Sequence, residues 1–100
     1  MNGRTKLSVE SAVKKLSGSV PAIGDVSEVS GCLSAVNSAL KQFGRLDILI
    51  NNAGIFEKHA IEDTTEEIWD SVINTNLKSV QFCTLYALAA LRHSKGSVVN

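Results

Sequence analysis

The sequence has 100 residues, ten basic and ten acidic side chains, and a hydrophobic share of 44%. This length suits one domain or part of one, and the hydrophobic share is that of a globular chain, which argues against wholesale disorder. Zero net charge gives no support for binding to nucleic acid or to an anionic membrane surface, because both usually need a basic patch. No apolar stretch is long enough to predict a membrane span.

Two cysteines, Cys32 and Cys83, both fall within helical patterns. The chain opens without an apolar signal segment or an arginine-rich leader, so we expect free, buried thiols in a reducing, cytoplasmic compartment. Two cysteines with so few plausible co-ligands do not make a metal site, and no metal is predicted.

The first residues predict a short helix followed by a strand. A modest apolar stripe over residues 5–16 indicates the helix, and Gly18 is placed to end it. Residues 19–23 indicate a short strand, although Pro21 argues against a central position in a sheet unless it lies at the start of the strand.

A second helix is predicted with more regular spacing. Ser27 is its expected N-cap, and Gly44 is expected to end it directly after Phe43. The apolar residues recur at the spacing of one helix face: Val29, Leu33, Val36, Leu40 and Phe43.

An apolar run over residues 46–50 predicts a strand buried on both faces, as in parallel sheets. The run ends in two amides, an alanine and a glycine, Asn51 to Gly54. Residues that close a strand of an open α/β sheet face the ligand crevice, where small residues let a ligand approach the backbone. Gly54 also permits a turn with positive φ. A plain strand followed by an Asn-rich turn is the alternative.

A loop, a long helix and a final strand are predicted next. Thr64 and Glu67 fit a capping box at the start of the helix, which extends to about Arg92. Gly96 breaks the pattern, and residues 97–100 begin another strand. The expected apolar side of the helix comprises Ile68, Trp69, Val72, Ile73, Leu77, Val80, Thr84, Leu88 and Leu91. Strands that alternate with helices imply right-handed crossovers and a parallel sheet, so the predicted fold class is α/β.

Two polar residues are candidates for function, each with a structural alternative. Asn76 is polar among the apolar positions of the long helix; it either bonds a neighbouring turn or kinks the helix, or it holds a water or a catalytic group in the crevice. Asp25 directly follows a strand; it either caps the next helix or accepts a hydrogen bond from a base or sugar.

Four segments together resemble the short-chain dehydrogenase/reductases. They are Asp25-Val26, Asn51-Asn52-Ala53-Gly54, Asn74-Thr75-Asn76-Leu77 and the closing Gly96-Ser97-Val98-Val99-Asn100. The resemblance covers essentially the whole chain. It implies a partial Rossmann-type domain over residues 1–100, a doubly wound parallel sheet with three short strands alternating with helices, truncated at both ends.

The resemblance implies an NAD(P) site at the strand ends. Asp25 would hydrogen-bond the adenine amino group, and Val26 would pack beside it. Asn51, Ala53 and Gly54 would line the adenosine ribose and the central part of the cofactor.

Three further roles follow from the same resemblance. Asn52 would help to fix the central sheet, and Asn76 would be the fourth catalytic residue, whose main chain holds a water in the proton relay. Gly3-Arg4 is similar to the end of the family's second strand, where an arginine often contacts the 2′-phosphate of NADP. A planar guanidinium suits a phosphate, which favours NADP; a solvated Arg4 is the alternative.

The chain also departs from the family's pattern. The glycine-rich T-G-x-x-x-G-x-G turn is absent, and no two glycines are spaced as G-x-G. Tyr86, the only tyrosine, is followed four residues later by Ala90 rather than by lysine, and the catalytic serine would come after Asn100. Carbonyl reduction needs a proton donor and a positioned hydride donor, and these residues assemble neither.

The family's strand order, 3-2-1-4-5-6-7, predicts a gap in the sheet. Strands 4 and 5, residues 46–50 and 97–100, would pair, whereas strand 3, residues 19–23, would lie two strands away. Either strands 3 and 4 pair directly, or two apolar edges stay open.

Two hypotheses follow. The first is a fragment of an NAD(P)-dependent oxidoreductase that acts on an alcohol or carbonyl, inactive alone, whose parent forms homo-oligomers through the helix between Leu77 and Leu91. The second is a short, non-catalytic interaction module that pairs with a full-length relative through that same helix. An unrelated flavodoxin-like domain would need a phosphate loop after the first strand, and none is visible.

Overall fold

A computed structural model describes all residues, 1–100, and shows strands alternating with helices. The elements are β1 (Asn2–Gly3), α1 (Lys6–Val13), β2 (Ala22–Ile23), α2 (Val29–Phe43), β3 (Ile48–Ile50), α3 (Glu66–Ile73), α4 (Ser79–Ser94) and β4 (Ser97–Val99). A short 3₁₀ turn (Ile61–Asp63) precedes α3, and a π-helical segment (Asn74–Lys78) joins α3 to α4. The α/β class is confirmed. The prediction of three strands is wrong by one, because the two-residue β1 is too short to show any periodicity.

The strands form two separate pairs rather than one sheet. β1 pairs with β2 in parallel, with Asn2 opposite Ala22, and β3 pairs with β4 in parallel, with Ile48 opposite Ser97. The predicted pairing of the last two strands is therefore confirmed. Of the two arrangements left open for residues 19–23, the structure has the one with open edges, because β2 pairs with β1 and not with β3.

β3 is not buried on both faces, contrary to the prediction. Ile48 and Ile50 are 59% and 66% exposed, whereas Leu49 packs against the buried clusters of the core. Ile48 and Ile50 point to one face of the strand and Leu49 to the other, and only the Leu49 face packs against the helices.

The start of α2 differs from the prediction. Glu28, not Ser27, occupies the N-cap and makes no side-chain cap bond, while Ser27 donates to Asp25 instead. The helix ends as predicted at Phe43, with Gly44 left-handed at φ 71°. Its buried face is centred on Cys32 and Val36, and the expected apolar positions Leu33 and Phe43 are exposed.

The long helix is divided in two and begins one residue later than predicted. Thr65, not Thr64, is the N-cap, and its side chain accepts from the Ile68 amide at 3.3 Å. The π-helical segment then separates α3 from α4.

The buried face of α4 is also different from the one predicted. It consists of Ser79, Cys83, Ala87 and Leu91, whereas Leu88 of α4 and Leu77 of the preceding π-helical segment are exposed. Small residues let α4 lie close to α2, where Ala87 and Leu91 pack with Val36. Both cysteines are free and buried, as predicted. None of the helices combines the length and the apolar character that crossing a membrane requires.

Candidate functional site

The ends of three strands carry the candidate binding residues. Arg4 directly follows β1, Asp25 lies shortly after β2, and Asn51 directly follows β3. β2 and β3 belong to different strand pairs, yet the residues that follow them, Val26 and residues 51–53, line one common cleft. We call Arg4, Asp25, Val26 and residues 51–54 the carboxyl edge, because ligands of open α/β sheets bind beyond the carboxyl ends of the strands.

Asp25 is held in place by the turn that follows it. Its Oδ1 accepts from the Ser27 amide at 3.0 Å and from the Ser27 hydroxyl at 2.7 Å. The hydroxyl bond lowers the pKa of the Asp25 carboxyl below its ordinary value against an opposing effect of burial, and the charge of Arg4 lowers it further. Asp25 is therefore an oriented carboxylate near Arg4 whose Oδ2 is free to accept a hydrogen bond from a ligand.

Gly31 is a positioning residue that the sequence analysis missed. A Cβ at this position would lie 1.8 Å from the carbonyl oxygen of Asp25, so only glycine lets α2 approach the backbone there. The sequence did contain a signal for this close approach, since Gly31 interrupts an otherwise regular helix pattern. The close approach sets the position of Asp25 relative to α2.

The side chain of Asn51 ties the strand ends to α4. Its Nδ2 donates to Asn100 Oδ1 at 2.8 Å and to Thr84 Oγ1 at 3.3 Å. Asn52 makes no side-chain hydrogen bond, whereas the Nδ2 of Asn51 is engaged within the protein.

Ala53 and Gly54 are exposed at the same edge. Gly54 does not have the positive φ that the sequence allowed, since Gly18 and Gly44 are the only glycines with it. A Cβ on Gly54 would make an ordinary 3.5 Å contact with Asn76 Oδ1. Gly54 therefore contributes a surface without a side chain rather than a special backbone conformation.

Asn76 clamps the loop that follows this edge. Its Oδ1 accepts from the Ile55 amide at 2.8 Å, and its Nδ2 donates to the Ile55 carbonyl at 2.9 Å. Asn76 is exposed rather than buried in an apolar face, and it lies in the π-helical segment that interrupts the helix. The structural alternative for Asn76, a bond to a neighbouring loop, is thus confirmed.

Ser79 stabilises the π-helical segment and was also missed. Its amide donates to the carbonyl of Asn74, five residues back, and its hydroxyl donates to the Thr75 carbonyl at 2.6 Å. The hydroxyl thereby satisfies the carbonyl that the Ser79 amide would bond in a regular α-helix. Nothing in the sequence distinguishes Ser79 from an ordinary helical serine.

A cleft of about 530 Å³ opens between the two strand pairs. We call it the inter-sheet cleft; its lining includes Asn2, Ala35, Ala39, Leu49, Ile50 and Cys83. At its carboxyl end it reaches Val26 and residues 51–53, so it is continuous with the carboxyl edge. Burial raises the pKa of the Cys83 thiol to about 12, with the neighbouring Cys32 acting in the same direction.

Comparison with known proteins identifies relatives of this chain. The family model described as short chain dehydrogenase matches residues 1–100. An 11-beta-hydroxysteroid dehydrogenase-like protein of Arabidopsis thaliana is 37% identical over 99 residues, which cover 96% of this chain and 32% of that protein. A 3-oxoacyl-(acyl-carrier-protein) reductase of Staphylococcus aureus is 40% identical over 79 residues, which cover 78% of this chain and 31% of that protein.

A solved structure agrees with the sequence relatives. The crystal structure of a putative short-chain alcohol dehydrogenase from Sinorhizobium meliloti superposes with a TM-score of 0.87 at 33% identity, covering 99% of this chain and 41% of that one. The chain spans about a third of the length of the curated relatives given above. The chain belongs to the short-chain dehydrogenase family.

Proposed function

We propose that this chain is the central, cofactor-binding part of an NAD(P)-dependent oxidoreductase that acts on an alcohol or carbonyl. The observation that supports the proposal is that Val26 and residues 51–53 line one cleft at the ends of β2 and β3. Arg4, directly after β1, is close enough to Asp25 to lower the pKa of its carboxyl, and Asn76 holds the loop that follows residues 51–54. The names of the relatives support the same reaction class.

The residues at the carboxyl edge fit an adenosine group. Asp25 offers Oδ2 as an acceptor for an adenine amino group, and Val26 lines the adjoining cleft. Ala53 and Gly54 leave the backbone accessible to the middle of the cofactor. When bound, NAD(P) supplies or accepts the hydride.

Arg4 favours NADP over NAD in this proposal. It is exposed at the end of β1, near Asp25, and is paired with no carboxylate within salt-bridge distance. A free guanidinium at that place suits the additional phosphate of NADP.

Residues 1–100 alone are expected to be inactive. Tyr86 is the only tyrosine, and it packs beside Phe82 with ring centroids 6.4 Å apart. The residue four positions later is Ala90, so no lysine pairs with Tyr86 as the family's motif requires. Asn76 is the only one of the family's catalytic positions in these residues, and its proposed role is to hold a water of the proton relay through its main chain. The free cysteines suit a reducing, cytoplasmic setting.

Fluorescence titration with NADPH and a turnover assay test the proposal. We expect neither tight binding nor reduction of carbonyls by the chain alone, with a complete short-chain dehydrogenase as the positive control. Micromolar affinity for NADPH, or turnover, would contradict the proposed incomplete site.

A second candidate function is that of a non-catalytic module that pairs with a full-length relative. It is favoured by the exposed apolar residues of α3, α4 and the π-helical segment between them: Trp69, Leu77, Leu85 and Leu88 are between 36% and 62% exposed. Helix faces of this kind indicate protein contacts. Through the same face, the proposed parent enzyme would form homo-oligomers.

Size-exclusion chromatography of the chain mixed with a full-length relative tests the second candidate. We expect a mixed oligomer that Leu85→Lys abolishes, whereas Leu7→Lys on α1, a residue 84% exposed and distant in sequence, leaves it intact. Separate elution of the two proteins would count against pairing.

A further inference from the structure

A second cleft lies at the amino ends of the paired strands β3 and β4, at the opposite end from residues 51–54. It is formed where α2 turns into β3 and where α4 turns into β4, and its volume is about 550 Å³. We call it the basal cleft, and none of its lining residues lines the inter-sheet cleft. The lining comprises Phe43, Gly44, Arg45, His93, Ser94 and Lys95.

The two turns of the basal cleft are held against each other. The hydroxyl of Ser94 donates to the Leu46 carbonyl at 2.6 Å, and the Ser97 amide donates to the Asp47 carbonyl at 2.9 Å. A Cβ on Gly96 would collide with the same carbonyl oxygen of Asp47, so only glycine permits this close approach. The walls of the cleft are therefore fixed relative to each other before any ligand binds.

Positive charge is concentrated around the basal cleft in a chain whose net charge is zero. Residues 41–47 and 92–96 contain four of the ten basic residues and one of the ten acidic residues: Lys41, Arg45, Arg92, Lys95 and Asp47. Asp47 accepts hydrogen bonds from Nε and Nη2 of Arg45, which orients the guanidinium and leaves Nη1 free to donate. The imidazole of His93 adds a further donor. This arrangement suits an anion that accepts several hydrogen bonds, such as a phosphate.

Lys95 has an unusual backbone conformation for a lysine. It ends α4 with φ 56° and ψ 40°, and it is the only residue other than glycine with a positive φ. Glycine adopts this conformation without strain, as Gly44 does at the end of α2. Strained positions of this kind cluster at binding sites, although a lysine at a helix C-terminus also interacts favourably with the helix dipole. The two roles make different predictions for a Lys95→Gly variant.

Phe43 gives the basal cleft an apolar surface. It is the last residue of α2, its side chain is 53% exposed, and it belongs to neither of the two clusters of the core. An aromatic ring in this position can pack against a flat aromatic part of a ligand. A ligand that used all sides of the cleft would therefore carry both an anionic and an aromatic group.

We propose that the basal cleft binds a small molecule in which a phosphate group is joined to an aromatic ring. Arg45 Nη1, His93 and the ammonium of Lys95 donate to the phosphate, and Phe43 packs against the ring. The volume of the cleft lies within the range of clefts that hold small ligands. The proposal is independent of the proposed oxidoreductase function, because the residues assigned to the cofactor lie at the other end of the strands.

NMR titrations of the chain with phenyl phosphate, inorganic phosphate and phenol test the proposal. We expect saturable amide shifts from phenyl phosphate at residues 43–45 and 93–96, with an affinity at least about threefold higher than that of inorganic phosphate. Phenol, which lacks the anion, should not saturate at the same concentrations. The proposal is wrong if these residues do not shift, or if phenyl phosphate and inorganic phosphate bind equally well.

A lysine variant separates binding of the phosphate from capping of the helix. Lys95→Gly suits the left-handed backbone and should fold, but it should bind phenyl phosphate at least about threefold more weakly. Lys15→Gly is the control, since it removes the same charge from an exposed turn after α1 and should leave the affinity unchanged. Unchanged binding by Lys95→Gly would show that the lysine only caps α4, and equal losses in both variants would show an effect of net charge alone; either result would overturn the proposal.

An aromatic variant tests the contact with the ring. Phe43→Ala should lose the preference for phenyl phosphate over inorganic phosphate while its affinity for inorganic phosphate stays the same. Phe56→Ala removes an even more exposed ring, 86% exposed and outside the basal cleft, and should keep the preference. A preference that survives in Phe43→Ala would contradict the proposed packing of the ring.

Discussion

Asn76 and Ile55 form a two-point hydrogen-bonded contact between the π-helical segment and the loop that follows β3. The side-chain Nδ2 of Asn76 donates to the backbone carbonyl of Ile55 at 2.9 Å, and Oδ1 of the same side chain accepts from the backbone amide of Ile55 at 2.8 Å. An asparagine side chain matches the donor and acceptor of one backbone residue in this way, and few other side chains can. The contact fixes the loop beside Gly54 and links the carboxyl edge to α4.

Two replacements of Asn76 should loosen this loop to different degrees. Asn76→Asp keeps an acceptor for the Ile55 amide but places a second acceptor against the Ile55 carbonyl, whereas Asn76→Ala loses both bonds. Each exposed hydrogen bond contributes about 0.5–1.5 kcal/mol, so we expect faster hydrogen exchange at the Ile55 amide in both variants, and fastest in Asn76→Ala. Unchanged exchange in Asn76→Ala would show that the contact does not hold the loop.

The neighbouring amides Asn51 and Asn52 should differ in their effect on stability. Asn51→Ala removes the bonds to Thr84 and Asn100 and should lower the free energy of unfolding by about 1 kcal/mol. Asn52→Ala removes no hydrogen bond and should change it by less than about 0.5 kcal/mol. Urea denaturation measures both, and equal effects would be inconsistent with the different roles assigned here.

Gly31→Ala should be strongly destabilising despite the higher helix propensity of alanine. Propensity alone would favour alanine by about 1 kcal/mol, but the Cβ would meet the Asp25 carbonyl oxygen at 1.8 Å and force α2 away. We expect a net loss of more than about 2 kcal/mol in thermal or urea unfolding. Gly18→Ala is the control, because its Cβ meets nothing within 4 Å and its cost comes only from φ of +78°. A stabilised Gly31→Ala variant would refute the close approach.

The Cys83 thiol should make the fold less stable at high pH. Its pKa is raised from the ordinary value of 9.0 to about 12, so between these values the unfolded chain loses the proton while the folded chain keeps it. The unfolded state then binds fewer protons, and the free energy of unfolding falls as pH rises through this window. Urea denaturation at pH 8 and pH 10 should show a larger fall for the native chain than for Cys83→Ala. Equal falls would mean that the thiol is not held neutral by the fold.

The sequence predicted the elements best where a local signal specifies the backbone. Gly44 ends α2 because a left-handed residue is needed there, and glycine adopts that conformation without strain. That signal is contained in a few adjacent residues. The pairing of β3 with β4 was predicted differently, from the strand order that the resemblance implies, and the alternation of strand and helix indicated that it is parallel.

The sequence predicted least well what depends on neighbours. The large apolar residues of α4 indicated its inner face, yet Ala87 and Leu91 lie inward and Leu88 is exposed, because α2 approaches too closely for a row of large side chains. Ser79 bonds the Thr75 carbonyl, and Gly31 lies against the backbone of Asp25. Neither contact can be predicted from the spacing of apolar residues. The identities of the strand-end residues were predictable from the resemblance, but their hydrogen bonds were not.

NMR titration of the chain with NADPH and NADH, up to millimolar concentrations, tests the central claim most directly. We expect weak binding, with shifts confined to the amides of Arg4, Asp25, Val26 and residues 51–54, and a preference for NADPH that Arg4→Gln removes. Shifts located elsewhere, or none at these residues, would contradict the assignment of the carboxyl edge as the cofactor site.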